Sequence, residues 1–211
     1  MTTEAAGCTK KSRGRPKVFD REAALDKAMT LFWQHGYEAT SLAHLVEATG
    51  AKAPTLYAEF TNKEGLFRAV LDRYITRFAE KQEALLFDDS KSVEQALESY
   101  CSEVAACFTS TDTPAGCFII TTSAALAASS DEIASAIKAR HTQREQILSR
   151  FFAQRQARGE LPASCNIDSL VRFVSCMLHG MSVSAREGAK CSELKEVIHT
   201  LLRLWPQLVN A

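Results

Sequence analysis

The sequence predicts an all-α protein of about nine helices, an N-terminal three-helix unit joined to a larger helical body. Three observations carry this. Apolar residues recur every three to four positions in one stretch after another, the spacing that places them on one face of a helix. No segment keeps the period-two alternation that a half-buried strand needs. The stretches are separated by helix-starting residues such as Asp20 and Ser92 and by helix-stopping ones such as Gly36 and Gly159. With 211 residues, 46% of them hydrophobic, the chain can bury a core without crosslinks.

The elements follow in order. Asp20 caps the first helix, Glu22 sits in its first turn where the helix dipole favours an anion, and Leu25, Ala28, Met29 and Phe32 lead to His35, with Gly36 as the stop. A second helix begins near Thr40 and Ser41, runs through Leu42, Leu45 and Val46, and ends at Gly50, which is free to take a positive φ. A third, short helix covers about 52–57; Pro54 is tolerated there only in the first turn, where its missing N–H costs nothing. A capping box over Thr61, Asn62, Lys63 and Glu64 opens a longer fourth helix through Leu66, Phe67, Val70, Leu71, Tyr74 and Phe78, fading near 87–91.

Ser92 with Gln95 caps the fifth helix, whose stripe is Val93, Ala96, Leu97, Tyr100, Cys101, Val104, Cys107 and Phe108. After the loop "TDTPAGC" a sixth helix runs to about Ala128, and a seventh takes 131–158 before Gly159 and Pro162 end it. Two wide stripes close the chain. The first is Leu170, Phe173, Val174, Met177, Leu178 and Met181; the second is Leu194, Val197, Ile198, Leu201, Leu202 and Trp205.

Charge and composition bound the function. Formal net charge is zero, but residues 1–81 hold 13 Lys and Arg against 10 Asp and Glu, and the remainder 12 against 15. The positive excess is concentrated at 10–17, where Lys10, Lys11, Arg13, Arg15 and Lys17 crowd together, so it forms an arm rather than a cationic face. Seven cysteines without an apolar leader read as reduced thiols in a cytoplasmic protein. The uncharged stretch 113–130 carries Pro114, Gly116 and many Ser and Thr, which fits a buried helix better than a membrane span. There is no Gly-rich phosphate loop, no H-E-x-x-H and no G-x-S-x-G, and the scattered carboxylates fit solvated helix faces, so a non-enzyme is expected.

The stretch 40–67 pairs two short helices around Gly50, the arrangement of a helix-turn-helix, in which the first helix rests across the DNA backbone and the second enters the major groove. A Gly-centred turn alone would serve any helical hairpin. The longer run "ALDKAMTLFWQHGYEATSLAHLVEATGAKAPTLYAEFTNKEGLFRAVL" is more specific. It resembles the DNA-binding domain of TetR-type transcriptional regulators over its whole length, on Ala28, Phe32, Gly36, Thr40, Ser41, Ala48, Gly50, Leu56, Tyr57, Phe60, Lys63, Leu66 and Phe67. The resemblance implies a repressor of double-stranded operator DNA, with 1–18 as a basic arm, 19–66 as the DNA-binding domain, a linking helix to about 85, and 67–211 as the effector-binding and dimerisation domain. It also implies DNA-facing positions for Thr40 or Ser41, Lys52, Thr55, Tyr57 and Lys63.

Chemistry gives each of these a role. Hydroxyls and amides at the second helix's start suit phosphate. Lys52 and Thr55 suit base edges, Tyr57 the DNA backbone, and Lys63, at the head of the fourth helix, another phosphate. His44 is a further phosphate candidate or simply a surface His, and Tyr37 is expected to pack on the first helix. In the arm, Arg13-Gly14-Arg15-Pro16 resembles an AT-hook core, which lays arginines along a narrow minor groove.

The resemblance implies a homodimer as well, since two modules set about 34 Å apart meet successive major grooves. Its expected interface is the final two stripes: Leu170, Phe173, Val174, Met177 and Met181 with Leu194, Val197, Ile198, Leu201 and Trp205. Gly180, Ser182 and Ala185 would allow close approach there. The competing reading is that both faces are used in the protomer core.

The effector is less legible. The arm, "DRYITRF", "DTPAGCF" and "SAREGA" look like those of a copper-responsive repressor of the family, which implies a regulatory copper ion and copper-linked release. Cu(I) prefers thiolates, with imidazole as an addition. The candidates are Cys117 at the loop-to-helix junction, with Cys107 as partner, and Cys176 with His179 three residues on. Cys101 and Cys107 differ by about 240° around a helix and lie on an apolar stripe, where a thiol serves equally as a small hydrophobe. The same repressor sensing oxidants or an apolar small molecule stays open, as does a helical thiol or metal-handling protein that does not bind DNA.

Overall fold

The structure, a computed structural model, describes residues 19–123 and 131–210. The arm residues Lys10, Lys11, Arg13, Arg15 and Lys17 lie outside the described residues, as does the expected end of the sixth helix near Ala128. Among the described residues the chain is helical and has no strand. The order is α1 (Arg21–Ala39), α2 (Leu42–Thr49), α3 (Ala53–Phe60), α4 (Lys63–Tyr74), a π-turn (Ile75–Ala79), α5 (Glu80–Ala84), a 3₁₀ turn (Leu85–Phe87) and α6 (Val93–Phe108). Then come α7 (Phe118–Ser123), α8 (Asp131–Ala157), α9 (Ile167–Arg186), α10 (Cys191–Arg203) and α11 (Trp205–Val209).

The predicted punctuation holds where the chemistry was specific. Asp20 accepts from Ala23 N and caps α1, and Gly36 breaks that helix at φ +79. Ser92 and Gln95 form the expected reciprocal box at the start of α6. At the fourth helix the cap is Asn62, whose side chain accepts from Gly65 N at 2.8 Å. Thr61 instead ends α3 at φ 67 and ψ −52, while Asn62 N–H donates to Phe60 O at 2.8 Å. That geometry is a γ-turn of the rare, strained hand.

Two departures bear on function. The fourth helix is not regular to its end, because the π-turn inserts itself after Tyr74 and turns Ile75 and Ala79 toward the interior. The last helix stops at Arg203, and α11 restarts with Pro206 in its first turn.

One hydrophobic cluster runs from Leu25 to Val209. Its aromatic centre ties the N-terminal unit to the body: Phe32 meets Phe67 edge-on at 5.2 Å, Trp33 meets Tyr74 at 5.3 Å, and Phe118 of α7 tilts against both Phe67 and Tyr74. Each such ring, fully buried, contributes about 1.5–3 kcal/mol. Ion pairs brace the same junction from outside. Arg73 of α4 clamps Asp26 of α1 through two nitrogens and reaches Glu22, while Arg140 of α8 holds Asp72 of α4 at 2.5 Å.

Candidate nucleic-acid interface and internal cavity

Buried Leu45 belongs to α2, which packs on α1, and buried Leu56 and Phe60 belong to α3, which packs on α4 and α2. Gly50 joins them in the left-handed conformation at φ 68, and its N–H closes on Val46 O. With the apolar side held, the opposite side of α3 is free. Lys52, the residue before the helix, is exposed and caps nothing, Thr55 is half-exposed, and Tyr57 presents 43% of its surface. Ser41 caps α2 in a reciprocal arrangement with His44, leaving both at the exposed helix start.

One expected contact needs correction, and a second residue is engaged within the protomer. Thr40 is fully buried and donates its hydroxyl to Gly36 O at 2.7 Å, so its side chain ties α1 to α2 instead of facing a phosphate. Lys63 is half-buried, its ammonium 4.2 Å from the centre of the Tyr37 ring, and burial lowers its pKa. Tyr37 itself stacks on Phe32, as the sequence suggested. Gly65, in the first turn of α4, went unnoticed in the sequence. A Cβ there would sit 2.0 Å from Phe60 O, so only glycine lets α4 start against the end of α3.

In the body, α4, the π-turn, α5, α6, α8 and α9 line a cavity of about 50 Å³ that opens to solvent. Tyr74, Tyr100, Val104, Phe108 and Leu178 give it an apolar wall; Gln82, Glu83, Arg140, His141 and Arg144 give it a polar one. Cys117 opens onto it, 3.4 Å from the Tyr74 hydroxyl. The loop that carries Cys117 is seated on α9, where Cys117 N–H donates to Ser182 Oγ at 2.8 Å and Gly116 leaves no room for a Cβ against Ser182 O. Cys107 is half-buried, and burial pushes its thiol up to about 11. Cys101 is fully buried and pushed up to about 12 by desolvation.

The other candidate pair is split between two settings. Cys176 is exposed, whereas His179 turns inward, with Nδ1 2.7 Å from Ser175 O and its ring stacked on His141. Among the described residues, no three His, Cys, Asp or Glu side chains gather as metal ligands.

The expected dimer stripes also need correction. Leu170, Val174, Met181, Leu194, Ile198, Leu201 and Trp205 are buried within the protomer, and so are Ser182 and Ala185. Periodicity marks an apolar face without saying what covers it, and here α6 and α8 do. What faces outward is Phe173, Val197 and part of Met177, joined by Val183 and Leu204, which the sequence reading left out.

A family model described as "Bacterial regulatory proteins, tetR family" matches residues 24–70, and one described as "Tetracyclin repressor-like, C-terminal domain" matches 93–201. The chain belongs to the TetR family. Its members are regulators and not enzymes. One TetR relative, the HTH-type transcriptional repressor ComR of Escherichia coli (strain K12), is 64% identical over 210 residues, covering 100% of both chains. Another from the same organism, the HTH-type transcriptional repressor BdcR, is 32% identical over 86% of each chain. Among solved TetR structures, a cysteine mutant of the regulator CifR complexed with 26 bp double-strand operator DNA is 34% identical, with a TM-score of 0.82 over 91% of this chain and 100% of that one. The placement of α2 and α3 is thus the TetR helix-turn-helix. No helix among the described residues is long and apolar enough to cross a membrane.

Proposed function

We propose that the chain is a homodimeric transcriptional repressor that reads operator DNA with α3 and lets go when an effector occupies its helical body. The observation that carries this is the division of labour on α3: Leu56 and Phe60 hold the helix to the core, while Lys52, Thr55 and Tyr57 stay available at the surface. Lys52 and Thr55 then meet base edges, Ser41 and Tyr57 meet phosphates, and Lys63 reaches a phosphate on leaving the Tyr37 ring. Arg13 and Arg15 of the arm, with Lys10, Lys11 and Lys17, add a minor-groove contact. Operators selected from random DNA test this reading by anisotropy. Lys52→Ala should lower affinity about tenfold, and a phosphate-contacting lysine removed from the arm should flatten the salt slope by about one. Binding that ignores salt would reject it.

Copper is the effector that the sequence resemblance implies. The residues to hold it would be Cys107 and Cys117, two soft thiols, the second 3.4 Å from the Tyr74 hydroxyl; copper would bond to both once they lose their protons. Cys176 and His179 are a weaker pair, since one faces solvent and the other α8. Operator affinity with and without Cu(I) under reducing conditions tests the assignment, and Cys117→Ser should abolish any response. A second reading, an organic small molecule, is favoured by the apolar wall of the cavity. Oxidant sensing is not favoured, because burial keeps Cys107 protonated at neutral pH and a thiol is the poorer nucleophile.

A further inference from the structure

The polar wall of the cavity contains a guanidinium that is only partly satisfied among the described residues. Arg144, halfway along α8, is half-buried, and its Nε is buried without a hydrogen-bond partner. It makes no ion pair among the described residues. Its nearest polar neighbour is His179 Nδ1, 3.5 Å from one guanidinium nitrogen. That imidazole nitrogen lies 2.7 Å from Ser175 O, a distance that requires it to donate, so it has no lone pair left for Arg144. The contact sets donor against donor.

No carboxylate among the described residues stands within ion-pair distance of the guanidinium. Glu83 lines the same wall; burial raises its pKa, and the charge of Arg144 pulls it back down. His141 is held neutral, burial first and Arg144 second lowering its pKa to about 4. Arg140, also in the wall, is already committed to Asp72 and Gln143. A buried polar group left without a partner in a folded protein calls for an explanation, and a charged one more so. Val104, Phe108 and Leu178 line the same cavity and offer an apolar surface without an acceptor.

We propose that the cavity receives a small organic anion, an aromatic or aliphatic body lying on the apolar wall with its carboxylate or sulfonate head on Arg144. The planar fork of the guanidinium fits such a head through two parallel N–H donors. Val104, Phe108 and Leu178 take the body. The effector role of this ligand rests on the repressor reading above; its binding does not.

A matched pair of fluorescent probes tests the ligand class on the full chain. 8-Anilino-1-naphthalenesulfonate and N-phenyl-1-naphthylamine share an aromatic body, and only the first carries an anion. The sulfonate should bind at least about tenfold more tightly than the neutral amine, the worth of a hydrogen bond to a charged group. Arg144→Gln should erase that preference while leaving the neutral probe's affinity unchanged, and Arg144→Lys, which keeps the charge, should retain much of it. Equal binding of the two probes, or a loss shared by both in Arg144→Gln, overturns the proposal. A labelled operator added to the sulfonate-saturated protein separates the two readings. If the Arg144 pattern appears and operator affinity does not change, the ligand class stands and the effector role fails.

Discussion

Thr61 shows how a single residue carries cost at a functional joint. It is β-branched, stands at φ 67 between the recognition helix and α4, and centres a γ-turn that glycine would adopt freely. Backbone strain of this kind is worth about 1–3 kcal/mol, and glycine's greater freedom when unfolded takes back roughly 0.5–1 kcal/mol. Thr61→Gly should therefore raise the melting temperature by about 2–4 °C and loosen operator binding, since the angle between α3 and α4 is no longer imposed. His141 makes the opposite kind of statement. Its folded pKa is depressed to about 4 from 6.5 by burial, Arg144 and His179, so the unfolded chain binds the extra proton between those values. Stability is full above about pH 6.5 and falls as the pH drops toward 4. His141→Gln should remove part of that acid loss, about 1 kcal/mol after discounting for its half-open position, seen as a smaller fall in melting temperature between pH 7.5 and 5.

At the scale of elements, α4 is the part through which cavity and DNA face communicate. Its C-terminal end, Tyr74, lines the cavity, its N-terminal turn is wedged against α3 through Gly65, and Arg73, with Arg77 of the following π-turn, binds Asp26 of α1. Arg140 lines the cavity and also holds Asp72 of α4, so an occupant that draws Arg140 away releases one tie between body and reading head. Asp72→Asn should then leave α-helix content intact while reducing, by about threefold to tenfold, the ratio of operator affinities with and without effector. An unchanged ratio would remove Arg140 and Asp72 from the coupling.

Much of this was legible in sequence. Asp20, Gly36, Gly50 and the Ser92 box announced their boundaries because their chemistry is local, and Leu56 read as the residue that holds α3 to its neighbours, which it is by burial. The π-turn was not legible, since Ile75, Phe78 and Ala79 suit a regular helix as well, and the cap shifted from Thr61 to Asn62 because tertiary packing of α3 on α4 chose between two capable residues. Arg144 sat unremarked among the charges of α8. Only the tertiary arrangement around it makes it a half-buried cation in a cavity wall.

For the whole molecule the question is what covers the outer side of α9 and α10. Phe173 and Val197 are each 42% exposed, Val183 48% and Leu204 47%, and Phe173, Val197 and Leu204 border an open groove with Met177. Two short recognition helices bind one operator well only when joined, because the second contact then profits from a high effective concentration worth about 10²–10⁴ in affinity. If the outer patch is the joint, Phe173→Asp with Val197→Asp should give a monomer by analytical ultracentrifugation, with helical circular dichroism retained and operator affinity lowered at least about a hundredfold. Ile198→Asp, one position from Val197, should behave differently. Its side chain is fully buried in the protomer, so the charge has no solvated position and the fold itself should fail. A double variant that stays dimeric would move the interface off this face, and an Ile198→Asp protein that folds and merely dissociates would return the buried stripe to the interface first expected from sequence.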